Sequence, residues 1–143
     1  MNKELQTLID KYGINAIREY IDGVGEQKYD LTIVSNAGLH RISENVLNGE
    51  VFEFTTGNIA MCTQEEMKDD LREPIARLAD KLNQRAYKNI YLVPTGPAVL
   101  ALLIKNIVYT ITRINTIDLV YTSGQYFYFD YNYRMENQSN NSV

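Results

Sequence analysis

Two short turns hold the residues best suited to engage a ligand: Ser35 and Asn36 in Ser35-Asn36-Ala37-Gly38, and Thr95 and Gly96 in Pro94-Thr95-Gly96-Pro97. Each follows a short apolar, β-rich run, and the second opens a helix. Gly96 reads as the N-cap and Pro97 as the first helical residue, where its missing N–H costs nothing. A helix N-terminus collects unpaired N–H donors and the positive end of the dipole, so this turn is a natural seat for an anion. The plainer reading is a tight strand-to-helix connection. In α/β sheets ligands bind beyond the carboxyl ends of the strands, which puts both turns on one rim if their strands are parallel neighbours. No Gly-Lys-Thr follows the turn and no Gly-x-Gly-x-x-Gly occurs, so neither a Walker loop nor a dinucleotide fingerprint is present.

The remaining reactive side chains are few. His40 is the one group titrating near neutrality, and it lies beside Arg41 in a segment of ambiguous structure. Cys62 precedes a helix start but has no histidine near it in sequence, and reads as a small core residue. With one Cys and one His, a zinc site of three or four such ligands is excluded. Asp69 and Asp70 are adjacent and point to different sides of a helix, so they form no carboxylate pair. Lys105 and Arg113 share roughly one side of the following helix, with Arg113 suited to its negative end. No catalytic residue is assigned, and no cofactor or metal is expected.

The elements that position these residues follow from periodicity. Residues 90–121 read as strand, turn, wholly apolar helix and second strand, a parallel crossover. Apolar on every face from Ala98 to Ile104, that helix is expected to be buried. Upstream, residues 3–22 form a packing helix with a break at Gly13, and residues 30–35 the first strand. Asn48-Gly49 is the dipeptide of a hairpin, with Val46 and Leu47 incoming and residues 51–54 outgoing. Thr63 and Glu66 form a capping box for a helix striped by Met67, Leu71, Ile75, Leu78 and Leu82, with a kink or a first segment ending near Glu73 before Pro74. A turn at Thr122-Ser123-Gly124 leads into an aromatic strand over 125–134, antiparallel to its predecessor. The composition of residues 135–143 reads as a disordered tail, leaving one α/β domain over 1–134.

Bulk properties narrow the classes. A net charge of −4 and 22% charged residues argue against general DNA binding, which needs a basic face. A single cysteine fits a reducing compartment, and the absence of an apolar leader or of about 18 consecutive apolar residues points to a soluble cytoplasmic protein. The Tyr126, Phe127, Tyr128, Phe129, Tyr131 and Tyr133 block puts aromatics on both faces of an edge strand, which suggests a homodimer. Stacking of single-stranded RNA is the weaker rival, since the chain is acidic.

Residues 89–130 resemble the sensor domains of the CARF and SAVED superfamily of CRISPR and related antiphage systems. The resemblance is carried by Ile90-Tyr91-Leu92-Val93-Pro94-Thr95-Gly96-Pro97-Ala98-Val99-Leu100-Ala101, then Leu119-Val120-Tyr121 and residues 126–130. It implies a Rossmann-like three-layer domain with a mostly parallel central sheet and a C-terminal antiparallel aromatic hairpin. It also implies a cyclic oligonucleotide bound in a homodimer cleft, with Ser35, Asn36, Thr95 and Gly96 facing the ligand. In the ring nuclease branch it implies slow, metal-independent cleavage by 2′-hydroxyl attack. This sequence departs from that pattern in having few basic residues near either turn, which leaves recognition to backbone N–H and hydroxyl groups. The alternative is a viral or accessory interaction protein that docks a protein partner through the aromatic hairpin, without a small ligand.

Overall fold

The computed structural model describes residues 3–14, 29–38, 42–59 and 63–141. Helix α1 (Lys3–Tyr12) ends where Gly13, at φ +85°, donates its N–H to the Ile9 carbonyl, as the sequence break predicts. The continuation of that helix beyond residue 14 lies outside the described residues, as do His40, Arg41 and Cys62.

Strands β1 (Asp30–Ala37), β2 (Glu50–Thr56), β3 (Asn89–Val93), β4 (Ile117–Thr122) and β5 (Gln125–Phe129) make one five-stranded sheet in the order β2-β1-β3-β4-β5. The first three pairings are parallel and the last is antiparallel. The α/β class and the terminal aromatic hairpin therefore match expectation. Helices α2 (Gln64–Gln84) and α3 (Ala98–Thr112) carry the chain from β2 to β3 and from β3 to β4. Together they cover one face, where Leu31, Ile33, Phe54, Leu78, Ile90, Leu92, Leu100, Ile104 and Val108 form the main core. On the other face Val34, Ala37, Val93 and Leu119 form a smaller cluster under Ile42, Val46 and Leu47. Among the described residues, the connection that packs on that face holds a short 3-10 turn (Glu44–Val46). No described helix is long and apolar enough to cross a membrane.

Local expectations are met unevenly. Thr63 caps α2 by accepting from the Glu66 N–H at 3.1 Å. The helix then continues through Pro74 instead of ending near Glu73; the buried proline ring joins the apolar stripe, which offsets the single backbone bond it removes. Asn48-Gly49 makes no hairpin, because β2 pairs in parallel with β1. The Thr32 hydroxyl donates to the Asn48 carbonyl and accepts from the Asn48 N–H, stitching the loop to β1, and Gly49 at φ +68° swings the chain into β2. Helix α3 is buried through Leu100, Ile104 and Val108 only; Val99, Leu102 and Tyr109 are exposed, so the expectation of a wholly enclosed helix is corrected. Where the composition of the C-terminus reads as a tail, the structure has a short helix, α4 (Tyr133–Asn141), with exposed side chains from Tyr133 to Glu136.

At the amino end of the sheet, Glu50 accepts a 2.6 Å hydrogen bond from the buried Tyr87 hydroxyl and lies 3.4 Å from Lys81 and 3.5 Å from Arg85. The Tyr87 bond, followed by the two cations, outweighs desolvation and holds the Glu50 carboxyl below its ordinary 4.5. A carboxylate lowered on folding adds stability above its unfolded value, and that stability is lost as pH falls through its folded value. Tyr87→Phe is expected to lower the melting temperature at pH 7, with the gap to the unaltered chain closing below about pH 4; a gap independent of pH refutes the linkage. In the main core, Ile104→Ala should cost about 2–5 kcal/mol in denaturant unfolding, since the side chain is fully buried.

Candidate ligand site at the carboxyl rim of the sheet

Strand β1 sits between β2 and β3, so the chain leaves it in one direction and returns on the other side. The gap beyond the carboxyl ends of β1 and β3 is where an α/β sheet of this order opens a crevice. Ser35, Asn36, Thr95 and Gly96 all meet there, and each is engaged by the others.

Register accounts for this. The β1–β3 ladder ends at the Val34–Val93 pair, and Pro94 cannot donate to the next rung. Thr95 supplies that rung with its side chain: its hydroxyl donates to the Asn36 carbonyl at 2.6 Å and lies 3.1 Å from the Asn36 N–H, which donates to it. The Ser35 hydroxyl lies 2.5 Å from the Thr95 carbonyl and 3.2 Å from that of Val93. The Asn36 amide donates to the Gly57 carbonyl at 2.8 Å, while its Oδ1 receives the Thr55 hydroxyl at 3.1 Å. Ser35 and Asn36 are 0% and 2% exposed, and among the described residues no buried side-chain polar atom lacks a partner. The hydroxyls and the carboxamide expected to face a ligand are thus used to join three strand ends.

Gly96 belongs to the same lock. It sits at φ +78°, and a Cβ there would come within 2.7 Å of the Asn36 Cβ. The helix cap falls one residue later than expected, on Pro97, which offers no side-chain cap. The first turn of α3 therefore starts at the rim with no side chain bonded across its end.

Beside this lock is a hollow of about 240 Å³, lined by Val93, Pro94 and Thr95 from the β3 exit, Leu119 and Tyr121 from β4, Tyr126 from β5, and Ile42. Sequence reasoning did not single out Tyr121 and Tyr126 as a pair. The signal was present: they flank the Thr122-Ser123-Gly124 turn and must face each other in any hairpin closed there, as their register shows. Their rings lie 4.7 Å apart at 46°, and they are 62% and 47% exposed. A larger hollow of about 320 Å³ lies between the β2 end and α2, next to Asp70, Glu73 and Arg77. Its one cation among the described residues is committed, since the Arg77 guanidinium is 2.5 Å from Glu73 and donates to the Phe54 carbonyl at 2.9 Å. Lys105 is committed too, at 2.6 Å from Asp118 and 2.7 Å from the Thr116 hydroxyl. Arg113 caps the C-terminal end of α3, its guanidinium over the Tyr109 ring. Among the described residues no group of carboxylates, His or Cys is arranged to hold a metal ion.

Thr95→Val should cost about 1–3 kcal/mol, because it leaves the buried N–H and carbonyl of Asn36 without partners. Gly96→Ala should cost a similar amount, about 1–3 kcal/mol, through the left-handed backbone and the clash with Asn36. Denaturant melts read both, and unchanged midpoints would show that the corner is not a lock. Compared with known proteins, the chain matches no family, no curated protein and no solved structure.

Proposed function

We propose that the protein is a Rossmann-like module that binds a nucleotide-type anion, specifically a cyclic oligonucleotide messenger, at this rim. The observation that carries the reading is the hollow beside Thr95, which has two tyrosine rings on one side and the uncapped start of α3 close by. A base stacked on Tyr121 or Tyr126 gains from the ring face whatever its identity. A phosphate at the α3 terminus meets backbone donors and the dipole, which suits a rim where Arg77, Lys105 and Arg113 are engaged elsewhere. About 240 Å³ is below the roughly 300–1,000 Å³ of sites that enclose a whole drug-sized ligand, so one copy seats about one nucleotide. A ring of several then spans two copies, as a homodimer cleft would allow.

Such a protein senses or sequesters the messenger, or cleaves it slowly. Among the described residues, those lining the hollow include no carboxylate, histidine or cysteine, so cleavage would proceed by holding the ligand's own 2′-hydroxyl in line with the phosphate. Cyclic di-, tri- and tetra-adenylate should be screened by thermal shift; binding at a hundredfold excess over Kd stabilises the folded state by about 2.7 kcal/mol. Tyr126→Ala should weaken a hit by about tenfold or more, from a stacking contribution of roughly 1–3 kcal/mol per base, with little change in the ligand-free melt. Linear product in the presence of EDTA marks a nuclease. No shift with any ring overturns the reading and favours the alternative, a protein that docks a partner through the exposed Phe127, Phe129 and Tyr131 edge.

A further inference from the structure

We propose that Tyr128 is a positioning residue of the rim site: its hydroxyl donates to the Val46 carbonyl and so holds residues 42–47 where Ile42 closes the hollow opposite Tyr121 and Tyr126. The role in binding rests on the function proposed above, whereas the hold itself is measurable without ligand. Val93 and Leu119 line the hollow from the sheet. The chain that leaves β1 brings Ile42 from one side of β3, and the β4–β5 hairpin brings the two tyrosines from the other. A flat ring seated there meets an aromatic face on one side and an aliphatic wall on the other.

Residues 42–47 form a small unit with few ties. The Val46 N–H donates to the Ser43 carbonyl at 3.2 Å, the Leu47 N–H to the Glu44 carbonyl at 3.1 Å, and the Asn45 N–H to the Ser43 hydroxyl at 3.4 Å, so the turn is bonded to itself. Ile42, Val46 and Leu47 are half-buried and pack on the smaller cluster. Among the described residues, the bond from Tyr128 is the one hydrogen bond that reaches this unit from another element. The next anchor is Asn48, paired twice with Thr32. Without the Tyr128 hydroxyl, the unit is held by hydrogen bonds at its Asn48 end and elsewhere by apolar contact alone.

Alternation along β5 puts Tyr126 and Tyr128 on one face, so a single strand supplies both a stacking ring and the hold on the wall facing it. The Tyr128 ring lies 4.8 Å from that of Tyr91 at 57°, which fixes the direction of its phenol. Burial raises that phenol above its ordinary 10.0, so the hydroxyl remains a donor at neutral pH. Phenylalanine at this position keeps the ring and removes the donor. Losing one such bond shifts a local opening equilibrium by about three- to tenfold. A wall that opens more often lets a seated ligand leave sooner, and interface changes of this kind act mainly on dissociation.

The hold is tested first without ligand. In a Cys62→Ser background carrying Ile42→Cys, iodoacetamide should label the introduced thiol about three- to tenfold faster once Tyr128→Phe is added. With Ile42 and Cys62 intact, Tyr128→Phe should raise amide hydrogen exchange at Val46 and Leu47 and leave the Asn48 N–H, bonded to Thr32, unchanged. A measurement that needs no variant is the Tyr128 hydroxyl proton, which should exchange with water slowly enough to be seen by NMR. The binding role is then read with whichever of cyclic di-, tri- and tetra-adenylate raises the melting temperature: Tyr128→Phe should speed its dissociation about three- to tenfold at an unchanged association rate. Labelling and exchange indifferent to Tyr128→Phe, or a hydroxyl proton exchanging as in free tyrosine, overturns the hold. Faster labelling with unaltered dissociation overturns the positioning role alone. Faster labelling in a protein that none of the three rings stabilises upholds the hold and sinks the ligand reading, and the positioning role with it.

Discussion

The structure depends on one substitution of side chain for backbone: the Thr95 hydroxyl completes the β1–β3 ladder where Pro94 cannot. It bonds both the N–H and the carbonyl of Asn36, so β3 is held to the end of β1 for one step beyond its last backbone pair. The other features of the corner follow from that step. Asn36 is drawn under the turn and reaches the Gly57 carbonyl, tying in the chain just past β2. Gly96 has no room for a Cβ above it, and α3 starts where the turn releases the chain. A buried polar group without a partner costs about 1–3 kcal/mol, so a corner this polar persists only if closed on itself.

That closure moves any recognition sideways. With Ser35 and Asn36 engaged, the surface left at the rim is the exposed side of Pro94 and Thr95, the adjoining start of α3 and the tyrosines of the β4–β5 hairpin. The polar side chains that join the strand ends and the exposed tyrosines of the hairpin thus use different atoms. At the opposite end of the sheet, Glu50, Tyr87, Lys81 and Arg85 form an ionic cluster that ties β2 to the end of α2 and the start of β3. Its partners are satisfied locally and leave that end the character of a fastening.

What was legible in the sequence was local. The crossover from β3 through α3 to β4, the Thr63 cap and the β4–β5 hairpin each rest on neighbours within a few residues, where turn and capping chemistry act directly. Pairings decided at a distance were less legible. Asn48-Gly49 reads as a hairpin because its backbone preference is local, but Thr32 captures Asn48 from a strand sixteen residues back and sets a parallel register. Ser35, Asn36, Thr95 and Gly96 were recognisable as neighbours on one rim, yet nothing in the order of residues says that their hydrogen-bonding capacity is spent on each other. In α3 the apolar run from Ala98 to Ile104 predicts burial on every side, whereas Leu100 and Ile104 are buried and Val99 and Leu102 are exposed.

The central claim is that the polar corner is framework and the neighbouring hollow is the recognition surface. Titrating cyclic tri-adenylate into isotope-labelled protein and following the NMR spectrum tests it most directly. The account predicts movement of the Thr95 and Gly96 backbone amides and of the Tyr121 and Tyr126 ring signals, while the Asn36 side-chain amide, bonded to Gly57, keeps its position. Movement of the Asn36 carboxamide with the tyrosines unchanged, or no movement at any of these sites, would contradict it.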